Sequence, residues 1–238
     1  MTIKAPQFVL WAVALLVATS SSIASVSATE DPAPQNSNTP ASAKCLKQAD
    51  FATGTVIINT AGQYRLCEDI SFMPNPPGPG ESPAEAFMPD FTVYDSQNYG
   101  LGFFAAIAIQ TSDVDLYLDG YTLDQSPEHA LMQRFFALIE LASSPFLTGI
   151  GPHDFGNFVP ATHCRILGPG TLGRSSHHGI HGNENSNIEI VGIEFRDFEV
   201  GAVSLNNADD VLIQGNIIPH NRQNVPVVGM FSAAVFIR

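Results

Sequence analysis

HHGIHGNENSNIEIVGIEFRDFEVGAVSLNNADDVLIQGNIIP, residues 177–219, is two copies of one unit. A shift that carries Gly192 onto Gly215 lays His178 on Gly201, Ile180 on Val203, Asn183 on Asn206, Ile188 on Val211, Ile190 on Ile213 and Phe195 on Ile218. Short alternating runs separated by Asn and Gly, repeating every twenty-odd residues, are the signature of a β-solenoid. One such unit cannot bury its apolar face alone, so each coil must stack on the next.

The same unit extends in both directions. One strand type recurs at residues 105–110 (AAIAIQ), 136–141 (FALIEL), 178–183 (HGIHGN), 201–206 (GAVSLN) and 233–238 (AAVFIR). A second type follows the first four, at 115–123 (DLYLDGYTL), 164–172 (CRILGPGTL), 187–195 (NIEIVGIEF) and 210–218 (DVLIQGNII). Each second-type run reads as two short strands hinged at a glycine (Gly120, Gly168, Gly192, Gly215), where the missing Cβ permits a sharp bend. The result is three strands per coil and about five coils. Alternation turns Ile180, Ile188, Ile190, Ile193 and Phe195 inward and their polar neighbours outward. Gln110, Asn183 and Asn206 share one turn position and are expected to stack as an amide ladder. Upstream, Ile70 and Phe72 take the places of Ile193 and Phe195, which marks a first coil or its cap.

Two insertions interrupt the repeat. Residues 73–100 begin Pro/Gly-rich and end with Phe87, Phe91, Tyr94 and Tyr99, aromatics that favour a packed loop. Residues 142–163 form the second. Residues 127–134 (PEHALMQR) read either as a short helix, with Pro127 and Glu128 in its first turn, or as a structured loop. The run at 233–238 is the first strand of a coil whose other two strands are not in the sequence. The chain is therefore expected to be the N-terminal part of a longer solenoid, with an open end that favours end-to-end association.

The start of the chain is of another kind. Lys4, an apolar run at 8–18 and Val26-Ser27-Ala28 fit a secretory signal peptide over residues 1–28. An uncleaved membrane anchor is the alternative, but the run is shorter than the ~20 residues a spanning helix needs. Residues 29–44 are polar, with proline and serine, and are expected to be a disordered leader before a solenoid domain at 45–238. These features place the protein outside the cell. There Cys45 and Cys67 are expected to pair, and Cys164, in a strand-like run, to stay a buried thiol. No CxxC spacing suggests zinc.

The formal net charge is −13, and the three lysines (Lys4, Lys44, Lys47) all precede the repeats. That balance argues against nucleic acid, anionic lipid or a polyanionic glycan held by direct charge pairing, and it permits neutral sugars and cations such as Ca²⁺. No other cofactor is expected.

The runs NIEIVGIEF and DVLIQGNII, with small-small-apolar strands such as GAVSL, resemble the right-handed parallel β-helix superfamily, the pectin-lyase-like proteins, from Tyr64 to the end. The resemblance implies an all-β, right-handed parallel β-helix. It also implies a ligand groove along the outer face of one sheet, walled by the longer loops. It does not name an activity, because this fold carries many. Polygalacturonase-like members place Asn-Thr-Asp before a Gly-Ile-Asp strand. Here His177-His178 precedes Gly179-Ile180-His181, a single acid (Glu199) precedes Gly201, and Asp209-Asp210 occupies a different turn.

The candidate site therefore starts from clustered histidines. His178, His181 and Glu199 are the candidate catalytic residues, for acid–base work or as oriented metal ligands. Exposed imidazoles in a polar turn are the bland alternative. Arg174, Ser204, His220 and Arg222 are candidate substrate-binding residues; Arg222 can equally pair with Asp197. Ser175 and Ser176 lie beside Arg174, and no serine is flanked as G-x-S-x-G. The expected site is an exposed groove between the loops at 87–99 and 146–158. Two functions fit: a secreted hydrolase or lyase acting on polysaccharide, or a non-catalytic wall, adhesive or glycan-binding solenoid.

Overall fold

The computed structural model describes residues 39–81, 87–151, 155–219 and 233–237. The expected signal peptide, most of the leader, His220 and Arg222 lie outside these. All described residues belong to the second of two units into which the chain divides, 32–238.

This unit is a solenoid of three parallel sheets. The first sheet stacks Val56–Ile58, Ala105–Ile109, Ala137–Glu140, His178–Asn183, Gly201–Asn206 and Ala233–Ile237. The second stacks Lys44–Leu46, Gly62–Leu66, Val114–Tyr117, Thr162–Leu167, Ser186–Val191 and Asp209–Gln214. The third, narrower, stacks Ile70–Phe72, Thr122–Gln125, Thr171–Leu172 and Glu194–Phe195. The chain visits first, second and third sheet in turn, so every neighbour in a sheet comes from an adjacent coil. Among the described residues no helix is long and apolar enough to cross a membrane.

Columns of like residues build the core. Ile107, Ile139, Ile180 and Val203 are in register on the first sheet, and all four are fully buried. Tyr64, Leu116, Ile166, Ile190 and Ile213 form the matching column on the second. Ile70, Leu123, Leu172 and Phe195 do so on the third. Burying each such side chain contributes about 1.5–3 kcal/mol. Ile190 is fully buried, whereas Ile213, expected to be equally buried, is half-buried and packs against the core.

The bend into the second sheet repeats a backbone conformation. Asp113, His163, Asn187 and Asp210 occupy equivalent positions in successive coils, and all have φ between 51° and 60°. Short polar residues tolerate this left-handed region best, because their side chains can hydrogen-bond locally. That accounts for the acid at Asp210 as turn chemistry. At the next bend Gly120, Gly192 and Gly215 have positive φ, as the hinge reading requires. Gly168 does not; it is glycine because a Cβ there would overlap the carbonyl of Gly192.

The amide ladder is shorter than expected. Asn206 Nδ2 donates to Asn183 Oδ1 at 2.9 Å, but the register places Ala142 between Gln110 and Asn183, which interrupts it. In the first insertion Tyr94 and Tyr99 are buried with Phe103, and Phe87 packs on His129, while Phe91 is exposed. Residues Pro127–Met132 are helical, capped by Ser126, whose hydroxyl accepts from the His129 amide. Cys45 and Cys67 form a disulfide with Cα atoms 5.7 Å apart. Cys164 is a buried free thiol, pushed up to about 11 by burial.

Candidate functional site

The site lies on the outer face of the first sheet. Glu140, His181 and Ser204 are register partners on three adjacent strands. With Ile139, Ile180 and Val203 facing the core, alternation sends these three outward. They are nevertheless buried, at 1%, 7% and 8% exposure. The second insertion folds back over the sheet and roofs them.

Under that roof is a pocket of about 500 Å³. Phe135, Phe146, Leu147 and Ile150 make its apolar wall. Phe135 and Phe146 stack with ring centres 5.0 Å apart. The polar floor is His177, His178, His181, Asn183, Ser204 and Asn206. Three hydrogen bonds from two asparagines hold the roof down: Asn183 Nδ2 donates to the Pro145 carbonyl, 3.1 Å, and Asn185 Nδ2 donates to the carbonyls of Leu141 and Ala161, 2.7 and 2.9 Å.

The histidines form a file of rings. His177 meets His178 edge-on at 4.1 Å, and His178 stacks on His181 at 5.1 Å and 16°. Desolvation and the neighbouring imidazoles push His178 down to about 2. Burial, opposed by Glu199, holds His177 down at about 4. Both are neutral at neutral pH.

His181 is set apart by its partner. Its Nδ1 donates to Glu140 Oε2 at 2.7 Å. Glu140 Oε1 is buried with no hydrogen bond, and burial raises the carboxyl's affinity for a proton while His181 lowers it. With Glu140 ionised the carboxylate can only accept, and in that state a neutral His181 carries its proton on Nδ1 and presents the Nε2 lone pair. Nε2 has no partner among the described residues and is not sealed in the interior, and His181 lines the pocket. An imidazole oriented from behind by a carboxylate, with its free nitrogen on a cavity, is the geometry of a general base.

Of the residues singled out from sequence, His178, His181 and Ser204 come together in the pocket. Glu199 does not face His178. It is buried beside His177 and ion-paired with Arg134, a partner that sequence reasoning did not supply. Arg174 lies two residues beyond the third-sheet strand Thr171–Leu172, donating to the Gln125 carbonyl at 3.2 Å and 3.8 Å from Asp124. The expected exposed groove is a covered pocket. The loop at 146–150 lines it, and no described residue of 87–99 does.

Glu140 was missed for a specific reason. Written from Phe136, the run FALIEL sets Glu140 opposite Gly182. The actual register pairs Ala137 with His178, and so Glu140 with His181. Aligning Ile139 with Ile180, each followed by an outward polar residue, would have found it.

No group of three or more His, Cys, Asp or Glu among the described residues is arranged to hold a metal ion. The chain matches no protein-family model, and neither the curated proteins nor the solved structures contain a detectable match.

Proposed function

We propose that this is a secreted, right-handed parallel β-helix protein of the pectin-lyase-like kind that acts on extracellular polysaccharide. In this reading the pocket under residues 145–150 takes a sugar unit and His181 is the general base. The observation that carries it is the buried Glu140–His181 hydrogen bond at the floor of an aromatic-walled cavity. Parallel strands joined by crossovers are right-handed in about 98% of cases, which supports the handedness. The signal-like start and the Cys45–Cys67 disulfide support export.

The lining favours an uncharged ligand. Phe135, Phe146, Leu147 and Ile150 offer an apolar wall to the C–H face of a pyranose, and His177 and His178 are neutral. Among the described residues no carboxylate lines the pocket, since Glu140 stands behind His181. Glycosidic cleavage by two carboxylates flanking the bond therefore has less support than histidine-centred proton transfer.

The test is a screen of the full chain against neutral and acidic polysaccharides, with and without Ca²⁺. It would measure binding, new reducing ends, unsaturated products and released acid. Product from a neutral glycan, lost in His181→Ala, is expected. Binding without any product would make the protein a non-catalytic glycan-binding solenoid. Neither binding nor product on any glycan would overturn the reading.

A further inference from the structure

We propose that Ser204 is a nucleophile activated by the Glu140–His181 pair, and that the pocket removes small O-acyl groups from sugar hydroxyls. The proposal rests on the reading of the pocket as a glycan site and specifies its chemistry.

The argument begins with register. Glu140 pairs with His181, and His181 with Ser204, on three adjacent strands of one sheet. Parallel strands stack at roughly 4.8 Å, so acid, imidazole and hydroxyl stand in one row on one face. The first link of the row is made, at 2.7 Å. It uses Nδ1 and leaves Nε2 for the other side. The Ser204 hydroxyl also has no hydrogen-bond partner among the described residues, and Ser204 lines the same cavity. The Nε2–Oγ bond is not formed in the free protein. Such contacts are commonly long before substrate is seated and tighten when it is. The constellation is recognised by geometry and role, on many folds. The absence of G-x-S-x-G is then no objection, because that motif belongs to a strand–turn–helix elbow and Ser204 sits mid-strand.

The remaining parts of an acyl-transfer site are beside the row. Asn206 is two residues beyond Ser204, on the same face. Its Nδ2 donates one hydrogen to Asn183 Oδ1 at 2.9 Å and keeps a second for a developing oxyanion. Asn183 is itself held by the Pro145 carbonyl. Phe146, Leu147 and Ile150 provide an apolar seat for a short acyl chain. Among the described residues no aspartate, glutamate, lysine or arginine lines the pocket, which suits a neutral ester better than a free carboxylate.

The reaction balances with water alone. Ser204 Oγ attacks the acyl carbon while its proton passes to His181 Nε2. The bond from the acyl carbon to the sugar oxygen breaks, and the sugar hydroxyl leaves with that proton. Water then adds to the acyl-serine, giving a proton to His181. The acid departs and Ser204 recovers its hydrogen.

The experiment treats the full chain with a fluorophosphonate probe and follows intact mass and the labelled peptide. In parallel it measures acetate release from 4-nitrophenyl acetate and from a per-O-acetylated disaccharide. A single adduct on Ser204 is expected. Ester turnover should fall by at least about 100-fold in Ser204→Ala and His181→Ala, within the range seen when such residues are removed. Ser204→Cys keeps a nucleophile at nearly the same volume, and its labelling by iodoacetamide while buried Cys164 stays unlabelled reports a folded chain with an open pocket even if the alanine variant folds poorly. No adduct, an adduct on another serine, or undiminished turnover in a folded Ser204→Ala would overturn the proposal. If polysaccharide binding or cleavage persists in that case, only the serine chemistry has failed. If both vanish, the glycan reading fails with it.

Discussion

Glu140 and His181 lie 41 residues apart in sequence yet share a 2.7 Å hydrogen bond, because an entire excursion leaves and rejoins the solenoid between their strands. Their contact is fixed by sheet register and not by loop conformation. A rigid sheet holds catalytic groups more precisely than a loop can.

Glu140→Gln isolates the role of that carboxylate. The side chain keeps its size but loses its charge and can bond Nδ1 in either sense. Turnover on the identified substrate should fall about 10²–10⁴-fold with KM little changed, as when a triad acid is neutralised. Stability should not fall, since a buried carboxylate with one unpartnered oxygen is replaced by a neutral group. Unchanged turnover in the folded variant would remove the pair from the mechanism.

The histidines set a pH dependence of stability. His177 and His129 are held down at about 4, and His178 at about 2, chiefly by burial, against an ordinary value of 6.5. Folded-state values below the unfolded one mean that the unfolded chain binds protons first. Their contribution is complete above pH 6.5 and is lost as pH falls towards 4, at up to about 1.4 kcal/mol per histidine per unit. Glu140, raised by burial, works in the opposite sense, its contribution present at low pH and lost as pH rises. Urea midpoints measured from pH 7.5 to 4.5 should fall, and a His177→Gln/His178→Gln double variant should flatten the fall. A wild-type midpoint that does not change over this range would contradict it.

The solenoid was legible because its signal is repetitive. Ile188, Ile190 and Phe195 recur with the same spacing and land in register with Val211, Ile213 and, at the bridge beside it, the strand around Ile217. The site was half legible. His181 and Ser204 follow from the same shift, so they could be placed on one face. Glu140 belongs to a coil whose return is interrupted by residues 142–161, and there the repeat gives no fixed offset. The roof was not legible at all. Whether Phe146 covers a sheet or projects from it depends on hydrogen bonds from Asn183 and Asn185, which leave no periodic trace.

The core columns make a graded prediction. Ile190 is enclosed by coils on both sides, with Ile166 below and Ile213 above. Ile213 is half-buried. Ile190→Ala should destabilise by about 2–5 kcal/mol, with a lost-transfer and a cavity term, and Ile213→Ala by roughly half as much or less. Chemical denaturation of the two variants measures both. Equal losses would mean that Ile213 is as enclosed as Ile190.

Gly182 links the core to the site. A Cβ there would overlap Asn185 Oδ1 and press on the Leu141 side chain. Asn185 is the residue whose amide holds the carbonyls of Leu141 and Ala161, the two ends of the roofing excursion. Gly182→Ala must therefore push Asn185 aside and break one or both bonds; the Leu141 carbonyl keeps the Ala161 N–H at 2.8 Å, while the Ala161 carbonyl loses its Asn185 donor, at a cost of about 1–3 kcal/mol. The expected result is a lower Tm together with faster amide exchange at residues 145–150, while exchange in the strand Ser186–Val191 stays slow. Asn185→Ala should give the same local pattern, because it removes the same two bonds without adding bulk. Loosening the roof should raise KM more than it lowers kcat, since the Glu140–His181 bond is held by the sheet below. If exchange at 145–150 does not change in either variant, some other contact holds the roof and the pocket's cover is independent of Asn185.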